Sequence, residues 1–544
     1  MSSYDVIILH PPAVFDFRTR PQFPGALGAT TEQVQFSKVP IGMLSIAEYL
    51  DRHGYKVIVD NLGDRMISSR TFDVREHLRK LSAPVFAVGL SFQQHAQGAL
   101  EVARLCKELH PGSLVVMGGL TATRFHDEII RKYWFVDAVI RAEAERPFLH
   151  LMRALEESGA PGATPNLTFR TGDGDIRSNP LMPASVTLDE YEYTRFDLIE
   201  PKTSIYPPNA PPRWSLAVCR GCVYNCAICG GSAYTYKTYL GMDRPVFRSP
   251  GKIISDIRKL NEQGISFIGL YQDPRMGGRK YWRELLAGLA RENLQLERLS
   301  LDLLAPADEE FIREAAKIGR QVVMHLCPDT GSDEVRRKLG RPYSNEELLK
   351  TIRLCHKYHL PVTTFFSVGL AGETPENVRE TWALWEKLEA LDRQSQVTGE
   401  LTMPLGGPIT GPIVLDPGSL AFDRPEEFGY TLRYRNLEEY VAGMSQPSWH
   451  QWLNYETDSL DEAMLVDLIL STVEFSIQQR TKSGLYDNYQ ALAERIKTVL
   501  DREIVKEIDQ IMTIEDPAAR DAAVLYLKGR HESFLNRPLD SFRQ

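Results

Sequence analysis

The chain has 544 residues, more than one ordinary hydrophobic core serves, so two or three domains are expected. Hydrophobic residues make up 43% and charged residues 25%, the balance of a folded globular chain and not of a disordered one. A net charge of −9 argues against a nucleic-acid-binding surface, and no apolar run approaches the ~20 residues of a membrane-spanning helix. The N-terminus shows no signal-peptide pattern, and Cys106, Cys327 and Cys355 are scattered outside one tight group of four cysteines. These features predict a cytoplasmic protein with reduced thiols.

Residues 1–155 alternate short apolar runs with helical periodicity. Strands are expected at 5–9, 56–60, 85–90, 114–117 and 138–140, with helices at 42–53 and 97–109. This pattern predicts a doubly wound, Rossmann-like parallel sheet, which binds ligands beyond the carboxyl ends of its strands. Those ends carry His10-Pro11, Asn61 to Arg65 with Gly63 between, Ser91-Phe92, Gly118-Gly119 with Thr121, and Glu143. Residues 156–213 read as a bridge with a hairpin turning at Gly172-Asp173-Gly174, closed by the Pro-Pro pairs at 207–208 and 211–212.

A second alternating block spans 214–420, with strands expected at 215–218, 267–271, 299–303, 322–326 and 363–368. Repeated strand–helix units of this number predict a partial (β/α)6 barrel with functional groups on the loops after strands. Residues 421–544 read as mainly helical. Trp449, His450, Trp452 and Tyr455 there suit either substrate contact or ordinary core.

The first strand of the second block runs into Cys219-Arg220-Gly221-Cys222-Val223-Tyr224-Asn225-Cys226-Ala227-Ile228-Cys229-Gly230-Gly231. Cys222, Cys226 and Cys229 have the spacing C-x3-C-x2-C, and three thiolates on one loop suit an iron–sulfur cluster with one iron left open. Structural zinc is the competitor, although its cysteine pairs are normally set apart by a longer loop. The Gly230-Gly231 pair suits a backbone that passes close to a bulky group, or a plain turn.

This loop resembles the signature of radical S-adenosylmethionine (SAM) enzymes, in which three cysteines hold a [4Fe–4S] cluster whose fourth iron binds SAM. Tyr224 falls within the matching loop. Gln272 and Asp273 after the second strand resemble the segment that holds the methionine part of SAM. Asp329 and Thr330 resemble the ribose segment after the fourth strand, and Gly369 and Leu370 the adenine segment after the fifth. The N-terminal block, with Pro40-Ile41-Gly42-Met43 and Gly118-Gly119, resembles the cobalamin-binding domain fused to one large class of these enzymes. The resemblance implies that His10, Pro11, Asn61, Gly63, Ser91, Phe92, Gly118, Gly119, Thr121 and Glu143 border cobalamin. The chain lacks the D-x-H-x-x-G histidine motif, so Arg65 is the candidate beside the lower cobalt face and is counted with the three cysteines as catalytic.

Within that class the chain looks most like natural-product methyltransferases (EC 2.1.1 class) acting on pyrrole, indole or unactivated carbon. The segments 415–419 and 425–430 carry this likeness. It implies methyl transfer from SAM via methylcobalamin to a carbon of a small molecule, with an electron donor such as flavodoxin or ferredoxin. It implies no nucleic-acid partner and no membrane. Cyclisation or rearrangement with the same cofactors is the alternative activity, and a cobalamin/iron–sulfur sensor the non-enzymatic one.

Overall fold

The computed structural model describes residues 2–25, 35, 37–292, 294–395 and 412–535. The N-terminal sheet is built from β1 (Val6–His10), β2 (Val57–Asn61), β3 (Val85–Gly89), β4 (Leu114–Gly118) and β5 (Ala138–Ile140), all parallel. Their residues are buried on both faces, which is why they read as unbroken apolar runs. Val6, Ile8, Val85 and Val116 pack against α1 (Ile41–Asp51) and, after β5, α4 (Glu145–Ser158). Ile7, Leu9, Phe86 and Val88 face the other side, toward α3 (Ala96–Leu109), which follows the short α2 (Leu62–Ser68).

The bridge segment belongs to this sheet. Its hairpin, β6 (Leu167–Arg170) with β7 (Ile176–Ser178), pairs antiparallel on β5, and β8 (Ile199–Glu200) pairs parallel with β2 at the opposite edge. The order is β8-β2-β1-β3-β4-β5-β6-β7. Buried Leu167 and Phe169 cover an edge that β5 would otherwise leave open. The order in which strands are added reverses between β1 and β3, and ligands are expected at such a crevice.

The second sheet has five parallel strands in the order β9 (Arg213–Ala217), β12 (Phe267–Tyr271), β13 (Arg298–Leu303), β14 (Val322–Asp329) and β15 (Val362–Phe366). Between β9 and β12 lie the short antiparallel pair β10 (Cys219–Arg220) and β11 (Val246–Phe247), with α5 (Ala233–Leu240) and α6 (Pro250–Glu262). The helices α7 (Arg279–Leu289), α8 (Glu309–Ala316), α9 (Asn345–Lys357) and α10 (Pro375–Ser395) complete the units. Ser249, Asp308 and Ser344 cap α6, α8 and α9 through their side chains. Val368 forms a single parallel bridge with Pro412, where a sixth strand of the barrel is expected.

Beyond residue 420 the chain forms a hairpin, β16 (Tyr430–Leu432) with β17 (Tyr455–Thr457), around α11 (Leu437–Met444). Three helices follow: α12 (Glu462–Lys482), α13 (Asn488–Met512) and α14 (Pro517–Leu535). Trp449, His450, Trp452 and Tyr455 are core: Trp449 donates to Asp501 (3.1 Å) and Trp452 to the Gln446 carbonyl (2.8 Å), and His450 meets Asp509 (3.0 Å). Phe23, from the long loop after β1, exchanges backbone hydrogen bonds with Pro447 and Trp449 and packs among Ile504, Ile508, Val524 and Leu527. No described helix is long and apolar enough to cross a membrane.

The two sheets meet through Arg220. Its guanidinium lies 2.7 Å from Glu143 and 2.6 Å from Glu145, the latter also bound by Ser45 of α1 (2.7 Å), and it stands over the Tyr191 ring. Both carboxylates are buried, so removal of the cation leaves two uncompensated negative charges. Arg220→Ala is expected to destabilise the protein by about 3–5 kcal/mol, read from the denaturant midpoint. The neutral triple variant R220M/E143Q/E145Q is expected to recover most of that loss.

Candidate functional site

The loop after β10 carries Cys222, Cys226 and Cys229, all half-buried free thiols. The Tyr224 N–H donates to Cys222 Sγ and the Gly231 N–H to Cys229 Sγ, each at 3.3 Å. Ala227 N donates to the Leu339 carbonyl, and Gly340 passes so close that a Cβ there would lie 2.7 Å from the Asn225 carbonyl. On the other side Asp416 accepts from the Gly230 N–H (3.0 Å) and from Gln93 of the N-terminal domain (3.2 Å). A Cβ on Gly230 would meet Asp416 at 2.7 Å.

Burial raises the Cys222 thiol, and it pushes Cys229 up to about 12 with Asp416 adding to the effect. The Arg341 cation lies near Cys222 and Cys226 and favours the Cys222 thiolate. A buried set of sulfurs that already accepts backbone N–H groups suits a cationic metal centre, because metal binding deprotonates the thiol. The donor set therefore fits an iron–sulfur cluster. Cys219 stands apart: its Sγ points at the Gly221 carbonyl (3.5 Å), and burial pushes it up to about 12.

A cavity of about 580 Å³ lies between the carboxyl edge of the N-terminal sheet and the base of the cysteine loop. Of the expected ligand-binding residues, Ser91, Phe92, Gly118, Gly119, Glu143 and Gln272 are on its wall. Its deep part runs between the sheet and α1, where Gly42, Gly89 and Gly118 remove side chains. A Cβ on Gly89 would come within 1.9 Å of Met43 Cε, and one on Gly42 would meet nothing within 4 Å. Gly119 has φ +116° and its Cβ would lie 2.6 Å from the Leu90 carbonyl, so only glycine serves there. This apolar slot with a polar mouth fits a large, flat-based cofactor such as a corrinoid.

The other expected cobalamin neighbours are not on that wall. His10 meets His95 edge-on at 5.1 Å and is followed by buried Pro11. Asn61 caps α2, Gly63 packs on Pro12, and Thr121 donates to the Ser91 carbonyl at 3.1 Å. Arg65, expected beside the cobalt, lies instead against Asp60 (2.6 Å) and over the Phe72 ring. Asp60 also holds His77 at 2.6 Å, and Arg65 is not among the residues that line the cavity.

At the barrel rim Gln272 adopts φ +76° and its N–H donates to Asp302 (3.2 Å). Tyr224 reaches toward Asp273 and Arg275. Asp273 is taken up by Arg275 (2.5 Å) and the Leu304 N–H (3.0 Å), so it organises the loop. Asp329, at φ +60°, pairs with Arg341 at 3.1 Å, and Thr330 is buried against Thr381. Sequence reasoning missed Arg341, Arg220, Lys38 and the role of Asp416. Arg220 and Asp416 stand within recognised segments, the cysteine run and residues 415–419; Arg341 and Lys38 do not.

Gly369 and Leu370 donate to one oxygen of buried Glu373 (2.8 and 3.2 Å), and its other oxygen is buried without a hydrogen-bond partner. Burial pushes the Glu373 carboxyl up to about 8, against the smaller opposing pull of the two N–H groups. The folded state thus holds a proton that the unfolded chain releases near its ordinary carboxylate range. Stability from this group is full below that range and lost as pH rises toward about 8. Glu373→Gln is expected to flatten this part of the profile: between pH 5 and 8 the wild-type melting temperature falls relative to the variant, as differential scanning fluorimetry can measure.

Comparison with known proteins agrees with this geometry. Residues 216–384 match the radical SAM superfamily and residues 29–152 the B12 binding domain. An uncharacterized methyltransferase of Pyrococcus horikoshii is 24% identical over 353 residues, covering 64% of this chain and 73% of that protein. The anaerobic magnesium-protoporphyrin IX monomethyl ester cyclase of Cereibacter sphaeroides is 24% identical over 359 residues, 63% of this chain and 55% of the cyclase. Among solved structures, the radical SAM methyltransferase TsrM from Kitasatospora setae, with cobalamin and [4Fe–4S] cluster bound, superposes with TM-score 0.55. It is 17% identical and covers 80% of this chain and 81% of its own. OxsB, a cobalamin-dependent SAM radical enzyme with aqua-cobalamin and SAM bound, gives 0.60 at 12% identity, covering 97% and 76%. At these identities the structural likeness is one of fold. With a B12-binding domain ahead of a radical SAM domain, and cobalamin, a [4Fe–4S] cluster and SAM as cofactors, the chain is a cobalamin-dependent radical SAM enzyme.

Proposed function

We propose that this enzyme is a C-methyltransferase that moves a methyl group from SAM to a carbon of a small molecule. The observation that carries the reading is the shared cavity. Gly118 and Gly119 of the B12-binding sheet, Cys219 and Arg220 at the base of the cysteine loop, and Tyr271 and Gln272 on the SAM side border one space. When bound, the corrin supplies a methyl carrier and the cluster an electron for SAM. The chain's own residues hold and orient. Cys222, Cys226 and Cys229 would grip the cluster; Gln272, Asp329, Gly369 and Leu370 would border SAM; Ser91, Phe92, Gly118 and Gly119 would border cobalamin. The names of the Pyrococcus horikoshii relative and of TsrM support methyl transfer.

The likeness to the anaerobic cyclase favours one second reading, ring formation without methyl transfer. A one-electron carrier such as flavodoxin or ferredoxin would serve either. Incubation of the reconstituted, reduced enzyme with methyl-labelled SAM and candidate substrates distinguishes them: label in the product is expected, and an unlabelled, cyclised product overturns the proposal.

Two variants test the cofactor assignments separately. Cys226→Ala is expected to erase the cluster's absorption and paramagnetic resonance signals while the corrin bands remain. Gly42→Leu puts bulk on the cavity wall at a position where a Cβ meets no atom within 4 Å, and is expected to weaken corrinoid binding about 10-fold or more with the cluster intact.

A further inference from the structure

The inner face of the barrel carries one polar layer. Strand register sets Ala217, Tyr271, Asp302, His325 and Thr363 at one level across β9, β12, β13, β14 and β15. Their chain neighbours Leu216, Leu270, Leu301, Met324 and Val362 point outward into the core beneath the helices. The interior of a closed (β/α)8 barrel is ordinarily filled by branched apolar side chains. Here the layer is open: Tyr271 is 43% exposed, and the Asp302 and His325 side chains 26% and 24%. Placing polar groups inside a barrel is costly unless a partner or ligand meets them.

The layer meets the cavity at Ala217 and Tyr271. Lys38 reaches across from the N-terminal domain, donating to the Tyr271 hydroxyl at 2.8 Å and to Ser215 Oγ at 3.1 Å, and both Lys38 and Tyr271 line the cavity wall. The neighbouring rim carboxylates Asp273 and Asp329 are committed to Arg275 and Arg341. His325 is held differently. Its Nδ1 lies 3.6 Å from Asp302 Oδ1, Asp302 Oδ2 is fixed by the Gln272 N–H, and the Phe365 ring packs edge-on to the imidazole at 5.6 Å. With Nδ1 turned to the carboxylate, Nε2 lies on the far side of the ring.

We propose that this layer is the substrate subsite and that His325, oriented by Asp302, is its proton acceptor. The inference rests on the methyltransferase reading. The substrate class it implies is a small molecule with a weakly acidic N–H or O–H beside the carbon to be methylated. In the step assigned to His325, that N–H or O–H bond breaks and the proton passes to Nε2. The electron pair stays on the substrate and enriches the adjacent carbon. Asp302 balances the imidazolium charge until the proton leaves to solvent. Lys38 and Tyr271 position the substrate's polar end.

The test has a substrate-independent arm and a catalytic one. Diethyl pyrocarbonate is applied to the enzyme loaded with cluster, cobalamin and SAM, and His325 modification is followed by peptide mass spectrometry. Continued modification is expected; full protection by the cofactors makes His325 a cofactor contact and overturns the proposal. With a substrate that yields labelled product, H325Q is expected to lower kcat about 100-fold or more, with cofactor content unchanged and KM little altered. Added imidazole should restore turnover to H325A, which a merely structural histidine would not allow. Wild-type rates in H325Q overturn the proposal. If the wild-type enzyme gives no labelled product at all, the methyltransferase reading fails, and with it the proton-acceptor role; the modification result then still decides whether the layer faces a cofactor.

Discussion

One guanidinium between two buried carboxylates fixes the geometry on which everything else depends. Arg220 leaves the chain two residues before the first cluster cysteine, and Glu143 and Glu145 stand where β5 passes into α4. Ser45 adds α1 to the same contact, and α1 also floors the cavity through Gly42 and Met43. In a poorly polarisable interior such a network is strong when complete and expensive when partial. The separation between the two cofactor domains is thereby a property of the protein, set before any ligand arrives.

Asp416 performs a similar office from the opposite side. It ties the Gly230 backbone to Gln93, and so ties the cysteine loop to the loop after β3. Asp273 and one oxygen of Glu373 likewise accept from neighbouring backbone N–H groups. The acidic residues of the rim are thus mostly scaffolding. That division leaves contact with small molecules to neutral groups, to exposed backbone, and to the polar layer inside the barrel.

The strands were legible because both faces of a covered parallel sheet are apolar, which leaves unbroken runs such as residues 6–9 and 85–89. The cysteine loop was legible because its chemistry is local. The pairing of Arg65 with Asp60, whose buried carboxylate also meets His77, is a fact of packing and not of spacing. The partners of Lys38 and Asp416 lie 177 to 323 residues away, so the segment 415–419 marks a likeness without showing what Asp416 binds, and Lys38 stands in no motif. The hairpin of the bridge segment was found, but its membership of the N-terminal sheet depends on which edge stands open.

The excursion after β1 has a wider consequence. That single loop presents Lys38 to the barrel and sinks Phe23 among the last three helices, where it bonds to the backbone on both sides of Ser448. The three regions are therefore stitched, not strung. A corrinoid module cut out of this protein would trail an uncovered phenylalanine and leave a hole in the distal bundle, so shuffling such modules between relatives requires that tail and tether travel as a pair.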